Sequence, residues 1–367
     1  MTRKRKNKYF FIAIFVSVLI IGAFVLRTAS LFPFFFQLFF NRDINLKQTN
    51  SNVNILLLGI GGGVHDGPNL TDTIIFASLN STADKVTLVT IPRDLWIPDL
   101  KAKINSAYSY GESKKKGGGL ILSKAVVGKV IGKPIDYAIR IDFSGFVKAV
   151  DLVGGLDINV DRTFDDYEYP IDGKENDLCG HKQEEIEQLA TASSQLEAFP
   201  CRYMHLHFNQ GLQHMDGKTA LEYVRSRHAQ GPEGSDFARS KRQAKIITAF
   251  KDRIFSVDTI FNPRKILSLY DVLQSSIDTD IKQDEFDDFI RLAEKMKGGK
   301  IQSTVLDTGD SQSNRDGLLI SPETSSEYGL QWVVIPRAGN GNFSEIQKYV
   351  SCEINTGNCS ISKAASN

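Results

Sequence analysis

Residues 9–26, YFFIAIFVSVLIIGAFVL, form an uncharged run of 18 residues, close to the roughly 20 needed to cross the hydrocarbon of a bilayer. Arg3, Lys4, Arg5, Lys6 and Lys8 precede it with no acid among them, and Arg27 closes it. Positive charge gathered on the N-terminal side sets the orientation of such a helix. The expectation is a basic cytoplasmic tail (1–8), a single transmembrane anchor (9–27) and everything after it outside. A cleaved signal peptide would have an apolar core of about 7 to 15 residues and a small-x-small cleavage site. Neither is convincing here, so an uncleaved anchor in the cytoplasmic membrane with an extracytoplasmic domain is predicted.

Leu31 to Phe40, LFPFFFQLFF, holds six Phe in ten residues, and Pro33 makes it a poor continuous helix. Two placements stay open, at the outer membrane interface or packed on the folded domain. Residues 28–52 are read as this aromatic segment followed by a polar linker.

The formal net charge is +1, from 44 basic and 43 acidic residues. Removing the five basic side chains of the tail leaves 39 against 43, a net of −4. A broad nucleic-acid surface needs a positive field over the folded part, so nucleic acid is excluded as a partner and any anion site must be a local cluster. At 367 residues, 41% hydrophobic and 24% charged, the chain is globular rather than disordered.

The cysteines form two local pairs, Cys179 with Cys201 and Cys352 with Cys359, and in an exported chain disulfides are the default reading. Zinc is the competing reading, since His181, His205 and His207 lie close in sequence, but no CxxC or HExxH spacing occurs. His205 and His207, in the strand-like YMHLHF, are read as ordinary polar and packing residues.

Runs rich in branched residues predict strands at Val53–Leu58, Thr73–Leu79 and Lys85–Ile91. A helix is predicted at Leu120–Ile131, then a strand at Tyr137–Ile141, a helix at Phe143–Leu152 and a strand at Leu156–Val160. Strands alternating with helices indicate an α/β fold with a central mixed sheet flanked by helices. Asp161–Pro200 is polar and acidic and reads as an insertion loop carrying the first cysteine pair, within a polar insertion spanning 161–206. Helices follow at Asp216–Arg225, Asp236–Phe255, Pro263–Leu273 and Gln283–Met296, strands at Ser303–Leu306 and Trp332–Ile335, and a helix from Ser344. The main domain is placed at 53–307 and a packed extension at 308–367.

Gly59, Gly61, Gly62 and Gly63 follow the first strand, but a loop with Pro68 and a second strand come next where a dinucleotide site needs a helix. No GK[ST] occurs, so a P-loop is excluded, and the glycines are expected to form an open loop on a cleft rim. Asp72 opens the second strand and Arg93 with Asp94 ends the third. Asp236, Arg239 and Gln243 share a helix face at i, i+3 and i+7, and Arg242 points elsewhere. Arg225 and Arg227 leave a helix end into a loop. Between residues 225 and 242, Arg225, Arg227, Arg239 and Arg242 stand against the single Lys241, a bias toward the planar fork that donates paired hydrogen bonds to phosphate.

These residues lie in stretches that resemble the LytR-CpsA-Psr family of membrane-anchored phosphotransferases: NILLLGI, LTDTIIFASLN, VTLVTIPRDLWI, KINSAYSYG, VDLVGGLDINV, FNQGLQHMDGKTALEYVRSRH and DFARSKRQ, in family order from Asn54 to Gln243. The resemblance implies transfer of a glycosyl-phosphate from a polyprenyl-pyrophosphate-linked glycan to a hydroxyl of peptidoglycan, with Mg²⁺ as cofactor. It makes Asp72 the magnesium-associated aspartate, and Arg93, Arg225, Arg227, Arg239 and Gln243 the pyrophosphate-binding set. Arg93 also counts as catalytic, with Asp94 and Asp236 as candidates for the general base. The family's aspartate after the first strand, and its Arg before the Asp-Thr pair, are replaced here by Gly, His65 and Leu70. Asp66, from a longer loop, is the candidate second metal ligand. Hydrolysis of the carrier pyrophosphate and binding without turnover are the competing readings.

Overall fold

The computed structural model describes residues 43–63, 67–80, 82, 84–185, 189, 194–254, 276–296, 298–310, 315–357 and 359–361. The anchor at 9–27, Leu31–Phe40, Asp66 and the helical pattern at Pro263–Leu273 lie outside them. Among the described residues no helix is long and apolar enough to cross a membrane.

In chain order the elements are β1 (Asn52–Ile60), β2 (Thr71–Asn80), β3 (Lys85–Thr90), α1 (Ser106–Lys114), α2 (Gly118–Ile131), β4 (Tyr137–Asp142), α3 (Phe143–Leu152) and β5 (Leu156–Val160). There follow β6 (Phe164–Pro170), β7 (Tyr203–Phe208), β8 (Gly211–Met215), α4 (Gly217–Arg225), α5 (Asp236–Ile254), β9 (Ile277–Thr279), α6 (Phe286–Lys295), β10 (Lys300–Val305) and α7 (Ser344–Asn355). The described residues divide into two compact units, a smaller one that includes 43–46 and 282–295 and a larger one that takes the rest. In the smaller unit α6 is clamped on itself, Arg291 donating to Asp287 and Asp288 at 2.6 Å each.

The larger unit holds a mixed sheet in the order β9-β4-β1-β2-β3-β10. β1 and β4 are parallel, as are β3 and β10, while β2 runs against both its neighbours and β9 against β4. The strands β4, β1, β3 and β10 therefore end at one edge, where β2 begins. β1 is buried along nearly its whole length instead of at alternate positions, as a strand covered on both faces must be. Leu56, Leu58, Ile74, Phe76 and Val89 pack with Val127 and Val130 of α2 and with Ile346 and Val350 of α7. A second core joins Val150 of α3, Ile158 of β5, Phe164 of β6, Phe208 of β7, Tyr223 of α4 and Ile246 of α5.

Helix α4 starts where the sequence says it should: Asp216 accepts a hydrogen bond from the Thr219 amide at 2.8 Å, satisfying one of the unpaired donors of the first turn. Gly217 comes next because a Cβ there would lie 2.2 Å from the carbonyl oxygen of Val147, so only glycine lets α3 and α4 approach this closely.

The structure departs from expectation in four places. Asp161–Pro200 is more than a loop: it contains β6, which pairs antiparallel with β7. β5 leaves the main sheet to pair with β8. Of Trp332–Ile335, Ile335 is in a two-residue strand with Pro336, and Val334 forms an isolated bridge to Leu95. Finally, α1 (SAYSYGESK) carries too few apolar residues to register as amphipathic, yet it buries Ala107 and Tyr108. Both disulfides are formed, Cys179–Cys201 and Cys352–Cys359. The segment after 307 adds Leu318, Leu319, Phe343 and α7 to the core of the sheet.

Candidate functional site

The carboxyl ends of parallel strands make a crevice where ligands of open α/β sheets bind. Here that edge gathers the predicted residues. β2 and β3 form an antiparallel hairpin with Ile75 opposite Thr90, so the start of one strand meets the end of the other. Asp72 accordingly receives the Arg93 guanidinium in an ion pair. Asp94 lies 3.4 Å from Arg93 Nε and takes Lys103 Nζ at 2.8 Å on its other oxygen. Burial opposes the Arg93 charge, but Asp72 and then Asp94 outweigh it and hold its pKa above the ordinary value.

The second contribution comes from the loop between α4 and α5. Asp166 of β6 is fully buried, and its carboxylate accepts from Ser226 Oγ at 2.7 Å and from the amides of Arg227 and His228 at 3.1 and 3.2 Å. From the other side Arg242, 2% exposed, donates to the carbonyls of Tyr223 and Ser226 at 3.0 and 2.7 Å and to Glu233. Two buried charges thus fix the backbone that carries Arg227. Arg242 was expected to point away from the site and does. Asp166 is the functional residue that sequence reasoning missed, because it stands in the stretch read as an insertion loop. The signal that could have revealed it is the spacing of Phe164, Asp166 and Tyr169 as inward positions.

Helix α5 supplies the third part. A buried chain of hydroxyls, Thr90 Oγ1 to Ser240 Oγ at 2.8 Å and Ser240 to Ser303 at 3.2 Å, seats it on β3 and β10. On the same helix Arg239 donates to Asp236 at 2.8 Å, and Asp236 remains about half exposed. Gln243, one turn on, is buried, with its Oε1 lacking a hydrogen-bond partner among the described residues.

Arg227 is where these parts meet. Its pKa is pulled down to about 10, first by burial, then by the positive charges of Arg239 and Arg93, with Asp72 and Asp236 only partly compensating. Among the described residues no carboxylate makes an ion pair with it. Arg93 is paired with Asp72 and Asp94, Asp94 is shared with Lys103, Arg239 is paired with Asp236 and Arg227 has no carboxylate, so four cations (Arg93, Lys103, Arg227, Arg239) stand against three carboxylates and one positive charge is left that these side chains do not neutralise. Such a site is completed by an anion.

Arg225 is not brought into that set. It pairs with Asp172 at 3.2 Å and lies over the rings of Phe143, at 4.2 Å, and Tyr169, at 5.4 Å. Phe143 directly follows the end of β4, beside the Gly-rich loop, where Gly62 adopts a positive φ of 66° and a Cβ would sit 3.0 Å from Asp142. Arg225 therefore flanks the same edge at its β4 side, whereas Arg93, Arg227 and Arg239 gather at the β2–β3 side.

The sequence pattern of the LytR_cpsA_psr family matches residues 39–326. The chain belongs to this family. Among its relatives, this LytR_cpsA_psr chain is 30% identical over 249 residues to the polyisoprenyl-teichoic acid–peptidoglycan teichoic acid transferase TagU of Oceanobacillus iheyensis, covering 66% of this chain and 64% of that protein. It is 26% identical over 262 residues to the TagU transferase of Enterococcus faecalis, covering 67% and 68%. The chain thus spans about two thirds of the length of the curated relatives it matches. Its fold is similar to that of B. subtilis TagV, with a TM-score of 0.52 at 23% identity over 83% of this chain and 97% of that one. It is also similar to TagT bound to LIIa-WTA, with a TM-score of 0.51 at 18% identity over 85% and 95%. These likenesses establish the mixed α/β fold of the LytR_cpsA_psr family for this chain.

Proposed function

We propose that the chain transfers a glycosyl-phosphate from a polyprenyl-pyrophosphate-linked glycopolymer to a hydroxyl of peptidoglycan. The observation that carries this reading is the uncompensated charge of Arg227 between Arg93 and Arg239, at the sheet edge of a chain that belongs to the LytR_cpsA_psr family. A pyrophosphate supplies the missing negative charge, and three guanidinium forks bind its oxygens. The same charges stabilise the transferred phosphoryl group and the departing polyprenyl phosphate as negative charge builds on them.

Asp236 is assigned to accept the proton of the attacking hydroxyl, a role supported by its half-exposed carboxylate beside Arg239. Asp94 is less suited, since Lys103 and Arg93 already hold both its oxygens. Asp72 offers one hard carboxylate with a third of its side chain exposed, and Mg²⁺ is commonly held by one or two carboxylates with phosphates and water completing the shell. Bound there, Mg²⁺ would supply charge neutralisation at the phosphates. We also assign residues 9–27 as the membrane anchor, which keeps the site on the outer face, within reach of both the lipid carrier and the acceptor.

The test uses the full chain in detergent with a short-chain prenyl-pyrophosphoryl disaccharide, Mg²⁺ and uncrosslinked peptidoglycan oligomers, with products read by mass. A glycosyl-phosphate adduct is expected, and Arg227→Ala or Asp72→Ala should slow its formation about 10²- to 10³-fold, the cost of losing one charge-stabilising contact. Release of free sugar phosphate without an adduct would overturn transfer in favour of hydrolysis. Binding without turnover would overturn catalysis.

A further inference from the structure

Outside the arginine cleft, two imidazoles and a carboxylate converge on the β6–β7 hairpin. Asp165 and His207 are direct cross-strand partners, and His205, two residues earlier, stands on the same face. His205 Nε2 lies 2.7 Å and His207 Nδ1 2.8 Å from the same oxygen, Asp165 Oδ1. One ligand atom from each residue falls within 4.8 Å of the others. A second group of this kind, Asp177 with Cys179 and Cys201, is excluded because both sulfurs are spent in the disulfide.

The orientation of the rings is fixed from outside. His207 Nε2 lies 3.2 Å from Asn209 Oδ1 and Nδ1 faces the Asp165 carboxylate; both partners are acceptors, so both ring nitrogens donate in the metal-free protein, and a bound ion would take the place of the Nδ1 proton while Asn209 keeps the proton on Nε2. This is the outer hydrogen bond that metal-bound histidines ordinarily make. His205 is stacked on Tyr167, with ring centroids 4.2 Å apart and 5° between the planes. Strand pairing fixes the backbones and the outer contacts fix the rings, so the three donors are preorganised.

We propose that Asp165, His205 and His207 form a binding site for a zinc-class transition-metal ion, separate from the pyrophosphate site. Two imidazole nitrogens and one carboxylate oxygen suit zinc, whereas magnesium takes oxygen donors. Three protein ligands leave a coordination position for water. Side-chain rotation of about half an ångström opens the nitrogen and oxygen atoms to the roughly 3.3 Å edge of a tetrahedron with bonds of about 2.0 to 2.1 Å. The bound ion would pin β6 to β7 at Asp165, next in the chain to the Asp166 that holds the Arg227 loop.

The test is equilibrium dialysis of the untagged full chain against Zn²⁺, together with visible spectroscopy of the Co²⁺-substituted protein. One ion per chain is expected, with a tetrahedral Co²⁺ absorption. His205→Ala and His207→Ala should each weaken Zn²⁺ binding at least about 100-fold, and Asn209→Ala about 10-fold, the range for losing an outer partner. His214, an exposed histidine paired with Asp157 at 2.7 Å and lacking a third donor among the described residues, is the control: His214→Ala should bind as the parent does. Less than one ion per chain, unchanged affinity in His205→Ala and His207→Ala, or an equal loss in His214→Ala would overturn the site. All readouts are independent of transfer chemistry, so this proposal and the transferase reading fail separately.

Discussion

Replacing Arg227 by methionine should make the chain more stable and less able to bind pyrophosphate. A cationic group whose pKa falls on folding carries a charge that the folded state disfavours, and for Arg227 burial and neighbouring cations pull it down by some two units to about 10. At 1.36 kcal/mol for each tenfold change this corresponds to about 3 kcal/mol, an upper figure. Lost packing of the guanidinium will offset part of it, leaving about 1 to 2 kcal/mol. For a domain of this size a kilocalorie moves the melting temperature by about 2 to 4 °C. Arg227→Met is therefore expected to melt about 2 to 8 °C above the parent in the absence of ligand. An anion offsets the same repulsion, so the parent should gain about 2.7 kcal/mol at a pyrophosphate concentration one hundred times its Kd, and the variant far less. Scanning fluorimetry of both proteins with and without sodium pyrophosphate reads all four values. If the variant melts below the parent, or gains as much from pyrophosphate, the assignment of Arg227 as the uncompensated charge is wrong.

Asp166→Ala removes the acceptor of four hydrogen bonds, from Ser226 Oγ and the amides of Arg227, His228 and Glu168, in a fully buried place and should destabilise by about 3 kcal/mol or more in urea titrations, with transfer activity lost alongside. Gly217→Ala forces a methyl against the Val147 carbonyl, and urea titration should show a cost of about 1 to 3 kcal/mol or separation of α3 from α4. Reducing Cys179–Cys201, which closes a loop with a sequence separation of 22, should cost about 3 kcal/mol and raise amide exchange in β6 and β7.

The main sheet was legible because β1, β2 and β3 are short runs of branched residues and because Phe143–Leu152 ends in Gly154 and Gly155. Asp72, Arg93, Arg227 and Arg239 were legible as residue types with unusual neighbours. Their convergence was not, since it depends on the antiparallel return of β3 along β2 and on the seating of α5 by Ser240. Periodicity fails at β6 for a specific reason. FDDYEYP places Asp165 outward and Asp166 inward, and a carboxylate buried for hydrogen bonding looks in sequence like any solvated acid. Arg225, the last residue of α4 and two positions before Arg227, is drawn by Phe143, Tyr169 and Asp172 to the β4 side of the edge, a separation that spacing alone does not reveal.

β10 pairs in parallel with β3, Lys300 opposite Lys85, and α7 fills the core beneath the first three strands. A ribosome must therefore finish most of the chain before the sheet acquires its last strand. Until Val305 is in place β3 offers a row of unpaired amides and carbonyls, the template on which strands of other molecules add. Folding dominated by such distant pairings is slow, which lengthens the exposure. A premature stop before Lys300 would thus give an aggregating product in place of a shortened, soluble fragment.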